Sequence, residues 1–115
     1  MQRLDIAEVQ QALNAEVICG SEWLDREVGS VCGADLMSDV LAFPRDRTLL
    51  LTGLTNIQVI RTAEMSDLIG IIFVRGKRPS QDLISLAMYK KLPLLVTCLP
   101  MYESCGRLYH SGVQR

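Results

Sequence analysis

The sequence predicts an α/β fold, a three-layer sandwich in which a mostly parallel central sheet is covered by helices on both sides. Three uninterrupted apolar runs, at residues 48–52, 70–74 and 94–97, are typical of strands that are buried on both faces. Helical segments separate these runs, as expected for parallel strands. Apolar residues make up 49% of the chain and charged residues 22%, which is sufficient for one continuous core.

The first half of the chain predicts two helices and two short strands. A helix over residues 4–14 follows from apolar residues that share one helical face, Ile6, Val9 and Leu13. Strands are predicted at residues 15–19 and 27–33. A second helical stripe follows, formed by Leu36, Met37, Val40 and Leu41. Pro44 is expected to end this second helix.

Each apolar run of the second half leads into a predicted helix. Asn56 is the predicted cap of the first of these helices, whose face includes Ile57, Ile60 and Glu64. Ser80 is the predicted cap of the next, with one face formed by Leu83, Ile84, Ala87 and Met88. Pro100 fits the first turn of the last helix, with its inward side formed by Met101, Cys105 and Leu108.

The candidate site lies at one edge of this sheet, because ligands bind at the carboxyl ends of parallel strands. Three loops leave that edge, and each leads to a helix N-terminus, which favours anions. Cationic side chains would supply charge, and hydroxyl and amide groups would supply hydrogen bonds. Glycines would allow the ligand to approach the backbone closely. The predicted ligand-binding residues are Thr52, Gly53, Asn56, Arg75, Gly76, Lys77, Arg78 and Thr97.

An alternative interpretation of the same residues stays open, because they are also ordinary turn and capping residues and a short basic run is usually solvated surface. The basic loop is not a Walker A motif. Five residues separate Gly70 from Gly76, and Lys77 is followed by Arg78 rather than by Ser or Thr. The sequence therefore argues against a P-loop kinase or ATPase.

No catalytic residue, metal site or cofactor is predicted. The four cysteines contain no C-x-x-C pair and are expected to be buried thiols, although Cys98 and Cys105 near a helix start leave a redox role as a minor alternative. His110, the single histidine, is expected at the end of the last helix. Asp35 is expected to cap a helix. A charged turn or an interface salt bridge is expected at residues 25–27.

Charge and hydropathy limit the location and the partners of the chain. Its net charge is −1, so a nucleic-acid partner is not expected. No apolar run approaches the ~20 residues of a membrane span, and residues 1–8 lack the apolar segment of a secretory signal. We therefore expect one cytoplasmic domain over residues 1–115, stabilised by pairing with a second copy of the chain.

Several short segments form a combined pattern: Leu24-Asp25-Arg26-Glu27-Val28, Val31-Cys32-Gly33-Ala34, the strand–Thr52-Gly53–helix unit, Arg75-Gly76-Lys77-Arg78-Pro79, Thr97, Tyr102-Glu103 and Arg107-Leu108. In combination, over about residues 4–113, they resemble the DRTGG domain family. The resemblance implies a fold like the N-terminal domain of HPr kinase/phosphorylase. It also implies a non-catalytic module, as found in long phosphate acetyltransferases, beside CBS domains, or alone. Gly53-Leu54-Thr55 and Val74-Arg75-Gly76 replace the Gly-Asp-Arg and Thr-Gly-Gly of relatives.

These observations together predict a regulatory or ligand-sensing module that is not an enzyme. It would bind a small anionic or nucleotide-like effector at the carboxyl edge of its sheet and signal to a second copy or to a partner enzyme. The alternative is an interaction or scaffold subunit without a small ligand.

Overall fold

A computed structural model describes residues 4–43 and 45–113 of the chain. The helices are α1 Ile6–Ala12, α2 Met37–Leu41, α3 Gln58–Met65, α4 Gln81–Tyr89 and α5 Met101–His110. The strands are β1 Leu4–Asp5, β2 Glu16–Cys19, β3 Glu27–Val28, β4 Ser30–Gly33, β5 Thr48–Thr52, β6 Leu68–Phe73 and β7 Leu94–Val96. A short 3₁₀ turn covers Ser21–Trp23.

Five strands form the central sheet in the order β2-β7-β6-β5-β4. The strands β4, β5, β6 and β7 are mutually parallel, and β2 joins the edge of β7 in the antiparallel direction. All five residues of β5 are buried. The predicted α/β fold with a mostly parallel sheet is therefore confirmed, including central strands that are apolar on both faces.

Helices cover both faces of the sheet, as the three-layer prediction requires. One apolar cluster joins α1 and α5 to the sheet, and its members include Ile6, Val9, Leu13, Leu49, Leu51, Ile72 and Leu108. The other joins α2, α3 and α4 to the opposite face, and its members include Met37, Val40, Leu50, Val59, Ile60, Phe73, Leu83 and Ala87. The alternation of Leu49, Leu50 and Leu51 between the two clusters follows from the two-residue repeat of a strand.

The N-terminal part differs from its prediction in two places. The first two residues of the predicted helix 4–14 form β1, which pairs with β3, and the helix begins after Asp5. Asp5 Oδ1 accepts from Glu8 N (2.9 Å) and Glu8 Oε1 from Asp5 N (3.1 Å), a capping box that fixes this start. The predicted strand 27–33 is divided between two sheets, because β3 pairs with β1 while β4 pairs with β5.

The predicted cap at Asn56 is wrong. Ile57 is the residue before α3 and already has helical angles (φ −64°, ψ −22°), and no side chain among the described residues caps this helix. Asn56 instead contributes its carbonyl, which accepts from Val59 N at 3.2 Å. The predicted cap at Ser80 is confirmed, since Ser80 Oγ accepts from Leu83 N at 3.3 Å.

Individual side chains on the predicted helix faces also differ. Met88 was expected on the inner side of α4, but its side chain is 55% exposed. Pro44, the predicted end of the second helix, and residues 1–3 of the N-terminal segment lie outside the described residues. Within the described ranges, no helix is both long and apolar enough to cross a bilayer.

Candidate functional site

The carboxyl ends of β5, β6 and β7 lie at one edge of the sheet because the three strands are parallel. The three loops predicted to carry the site, at residues 52–56, 75–80 and 97–100, therefore lie together at this edge. The reversed direction of β2 brings its first residue, Glu16, to the same edge, opposite Val96. We call this region the carboxyl edge.

Thr52 ends β5 and its side chain is fully buried. Its hydroxyl donates to Asp35 Oδ1 at 3.1 Å and accepts from Leu54 N at 3.2 Å. The second interaction is a turn in which a threonine hydroxyl binds the amide two residues later. The hydroxyl thus shapes the loop after β5, and its proton is already donated inside the chain.

Thr97 repeats this arrangement after β7. Its side chain is 1% exposed, and its hydroxyl donates to the carbonyl of Leu13 (2.8 Å) and accepts from Leu99 N (3.3 Å). Thr52 and Thr97 are brought to the same edge as predicted. However, both hydroxyls form their hydrogen bonds within the protein. Thr52 and Thr97 therefore support the loops, and their hydroxyls do not face solvent.

Arg75 is the cationic residue that the backbone places most firmly at this edge. Its φ is +59°, a left-handed conformation that is uncommon for any residue except glycine. Arg75 N donates to the carbonyl of Leu99 (2.9 Å), and Gly76 N donates to the carbonyl of Thr97 (2.8 Å). These bonds tie the loop after β6 to the loop after β7 and fix the direction in which Arg75 leaves the backbone.

The guanidinium of Arg75 lies against the backbone of Gly53. A Cβ atom built on Gly53 would meet Arg75 Nη2, so a larger residue at this position would displace the guanidinium. Gly76 has a φ of +68° and open space around its Cα. The space beside the backbone of Gly53, predicted to admit a ligand, is occupied by a cation of the protein itself.

Lys77 and Arg78 are exposed neighbours of Arg75. Arg78 makes a bidentate ion pair with Glu16, with both nitrogen–oxygen distances at 3.0 Å. This hydrogen bond and the arginine charge hold the pKa of the Glu16 carboxyl below its ordinary value, and Glu16 raises the pKa of Arg78. An anion that binds Arg78 must therefore compete with Glu16.

Asp35 is a residue of the carboxyl edge that the sequence interpretation assigned wrongly. It was expected to cap a helix, but α2 begins at Met37 and Leu36 occupies the position before it. The carboxylate of Asp35 instead accepts from Thr52 Oγ1 and from Gly53 N (2.8 Å). It links the loop after β4 to the loop after β5. Its position directly beyond the end of an apolar strand was a signal that could have identified it.

The remaining residues considered in the sequence analysis are the cysteines, His110 and the charged segment 25–27. Cys98 is exposed, which corrects the expectation of four buried thiols. Burial raises the pKa values of the other three thiols, those of Cys19, Cys32 and Cys105. His110 lies at the end of α5 as predicted. In the segment 25–27, Glu27 forms an ion pair with Arg47 of the same chain.

The opposite edge of the sheet has a cavity of about 180 Å³. It is lined by Arg26, Ile60, Ala63, Glu64, Leu68, Lys90, Lys91 and Leu92. Lys90, one of the cations that line this cavity, forms an ion pair, since its Nζ lies 3.5 Å from Glu64 Oε1. Lys91, like Arg75, has a left-handed backbone (φ +58°). The two edges thus each carry a lysine or arginine of this unusual conformation.

Comparisons with known proteins agree with this fold. The chain is similar to the CBS and DRTGG domains of the regulatory region of a Clostridium perfringens pyrophosphatase, whose crystal structure holds the activator diadenosine tetraphosphate. The TM-score is 0.69 at 16% identity, and the match covers 88% of this chain but only 44% of that chain. No curated protein sequence matches. The sequence model of the DRTGG domain matches residues 8–111, which is most of the chain. The chain therefore belongs to the DRTGG domain family.

Proposed function

We propose that the chain is a non-catalytic, ligand-sensing regulatory module that binds a small anion or a nucleotide-like effector at its carboxyl edge. One observation carries this proposal. Arg75 is held in a left-handed conformation by the loop after β7, and its guanidinium lies on the backbone of Gly53 in the loop after β5. A single cation thereby contacts two of the three loops that surround the site.

The charges around Arg75 support an anionic ligand. Arg75, Lys77 and Arg78 lie within four residues and are exposed. Arg78 is paired with Glu16, which leaves Arg75 and Lys77 as the cations we assign to first contact with the ligand. A guanidinium presents several donors in one plane and suits carboxylate and phosphate groups.

The remaining predicted residues have supporting roles in this proposal. Gly76 provides room for the ligand beside the backbone, and Gly53 accommodates the guanidinium of Arg75. Thr52 and Thr97 hold the loops through their internal hydrogen bonds, and Asn56 is exposed at the rim of the site. Helices α3, α4 and α5 begin after these loops and direct free N–H groups toward the same edge.

The similar pyrophosphatase structure supports a regulatory role for this kind of domain, because it belongs to a regulatory region solved with a nucleotide activator. In our proposal the effector changes the interaction of the chain with a second copy or with a partner enzyme. Such an effect requires that the effector bind the two states with different affinity.

The test is calorimetric titration of the protein with ATP, AMP and inorganic phosphate as probes. We expect at least one probe to bind, and Arg75→Gly to weaken it at least about tenfold, which corresponds to ~1.4 kcal/mol. Glycine is chosen because it removes the guanidinium and also accepts the left-handed backbone without strain.

Lys91→Gly is the matched control, because it removes one positive charge at the same type of backbone position but at the opposite edge. We expect this variant to bind the probe as the unaltered protein does. The proposal fails if no probe binds at millimolar concentration. The assignment to the carboxyl edge fails if Lys91→Gly, rather than Arg75→Gly, removes binding.

An interaction subunit without a small ligand is the second candidate function. The exposed aromatic side chains of α4 and α5 favour it, among them Tyr89 (79% exposed) and Tyr102 (91% exposed). Absence of binding in the titration, together with a stable partner complex, would support this candidate.

A further inference from the structure

The outer face of α5 carries exposed aromatic side chains around a glycine. Tyr102 is 91% exposed and Tyr109 61%, while Ser104 and Leu108 on the opposite side of the helix are buried. A shallow, open depression lies on this outer face, lined by Tyr102, Glu103, Gly106, Arg107 and His110. Exposed tyrosine and arginine side chains are enriched at protein interfaces.

Gly106 is an unfavourable residue for the middle of a helix, and no contact within the described chain requires it. It lies in the middle of α5, where glycine is the weakest helix former apart from proline. A Cβ atom built on Gly106 meets no other atom of the described chain within 4 Å. Packing inside the protein therefore gives no reason for a glycine here. A glycine on an outer helical face allows a second helix to approach closely.

The charges of α5 are arranged so that the helix complements a copy of itself. Glu103 lies before the midpoint of the helix, and Arg107 lies after it. Within one chain Arg107 Nη2 donates to Glu103 Oε2 at 2.8 Å. In an antiparallel pair related by a two-fold axis, the acidic half of each helix faces the basic half of the other.

We propose that the outer face of α5 is the surface through which two copies of this chain form a dimer. The two α5 helices pack antiparallel, with Gly106 near the crossing point. Glu103 of each copy lies opposite Arg107 of the second copy, and Tyr102 lies opposite Tyr109 on the other flank. The Gly106 crossing, the Glu103–Arg107 pair and the Tyr102–Tyr109 pair each place the two-fold axis within about one residue of the helix midpoint. This agreement is the geometric reason for choosing a second copy of the chain as the occupant.

The size of this surface sets the expected strength of the association. A helix of ten residues is about 15 Å long. A contact centred on one such helix falls at the small end of specific interfaces, so the dimer is expected to depend on concentration in the micromolar range. This inference does not depend on the ligand proposed for the carboxyl edge.

The first test is analytical ultracentrifugation of the protein from about 5 to 500 μM, a range that spans a micromolar dimer. We expect a monomer–dimer equilibrium, and Gly106→Leu to weaken it by at least about tenfold. Leucine is a good helix former and has open space at this position, so the variant keeps its fold. The matched control is Ser85→Leu, which adds the same side chain to an exposed position of α4 on the opposite face of the sheet. This control is expected to dimerise normally.

The second test exchanges the charges between chains. Glu103→Arg and Arg107→Glu each place like charges across the proposed interface, so each variant alone is expected to remain monomeric. An equimolar mixture is expected to form a heterodimer, because one chain then has two cations at these positions and the other has two carboxylates. Mixing cannot repair the repulsion within each helix, so restored association reports contact between chains.

Three outcomes would overturn the proposal. The unaltered protein stays monomeric over the whole concentration range, Gly106→Leu dimerises as strongly as the unaltered protein, or the mixture of charge variants fails to associate although the unaltered protein dimerises. Circular dichroism of each variant is measured in parallel, so that loss of association is compared only among folded proteins.

Discussion

Replacing Asp35 by alanine should destabilise the protein because the hydroxyl of Thr52, a buried residue, loses its acceptor. The carboxylate accepts from Thr52 Oγ1 and from Gly53 N, at 3.1 and 2.8 Å. The hydrogen bond from Gly53 N to the carboxylate is exposed, so this amide can bind water once the carboxylate is removed. Thr52, in contrast, is fully buried. A buried hydroxyl that loses its acceptor costs about 1–3 kcal/mol, and we expect Asp35→Ala to lower the free energy of unfolding by that amount.

The isosteric variant Thr52→Val identifies the source of this effect. It removes the hydroxyl that Asp35→Ala would leave without an acceptor, so the double variant should lose less stability than the sum of the two single variants. We expect a coupling free energy of about 1 kcal/mol in this double-mutant cycle. Asp35→Asn keeps an acceptor oxygen without the charge and should fall between the other proteins, because neutral hydrogen bonds are about half as strong as charged ones.

Urea unfolding followed by circular dichroism measures these changes, provided that the slope with denaturant stays constant. Asp39→Ala is the matched control, because Asp39 is an exposed aspartate of α2 four residues further along the chain, and it should change stability by less than about 0.5 kcal/mol. Additive effects of Asp35→Ala and Thr52→Val would refute the reasoning, since they would show that the two side chains do not depend on each other.

Two further predictions concern ionisable groups of the described structure. Cys98 should react first with a thiol reagent such as Ellman's reagent, because it is exposed while burial raises the pKa values of Cys19, Cys32 and Cys105; a fast phase that survives Cys98→Ser would contradict this. Arg78→Ala should raise the pKa of the Glu16 carboxyl toward its ordinary value in an NMR titration. Since the folded pKa is depressed, the contribution of this pair to stability is present at neutral pH and is lost as the pH falls through that pKa. An unchanged Glu16 titration in the variant would argue against the ion pair.

The central strands could be predicted from the sequence because their signal is local. The run 48–52 has three leucines between two threonines and is followed by a glycine, and the structure has a strand with the same bounds. Ser80 likewise combines a capping side chain with a following helical stripe. The cap is confirmed, and so is the burial of Leu83 and Ala87, whereas Met88 of the same stripe is exposed. In these segments the local preference and the packing of the whole domain favour the same conformation.

The candidate site was harder to predict because its contacts join distant parts of the chain. Arg78 and Glu16 are 62 residues apart, and their ion pair exists only because β2 runs against the other strands. The sequence of a four-residue edge strand does not indicate whether the strand runs parallel or antiparallel to its neighbour. Asn56 shows the opposite error, since its general preference for helix starts favoured a cap, whereas α3 begins two residues later at Gln58.

The pairing of β2 with β7 also determines when the sheet can be completed during synthesis. Glu16 lies opposite Val96, so the second strand to leave the ribosome must wait for the last one. Closing a loop of this length is slow compared with local folding. Until β7 emerges, β4, β5 and β6 can associate among themselves, while the side of β6 that will pair with β7 stays open to any extended peptide. We expect the growing chain to be most vulnerable to misassociation at that stage.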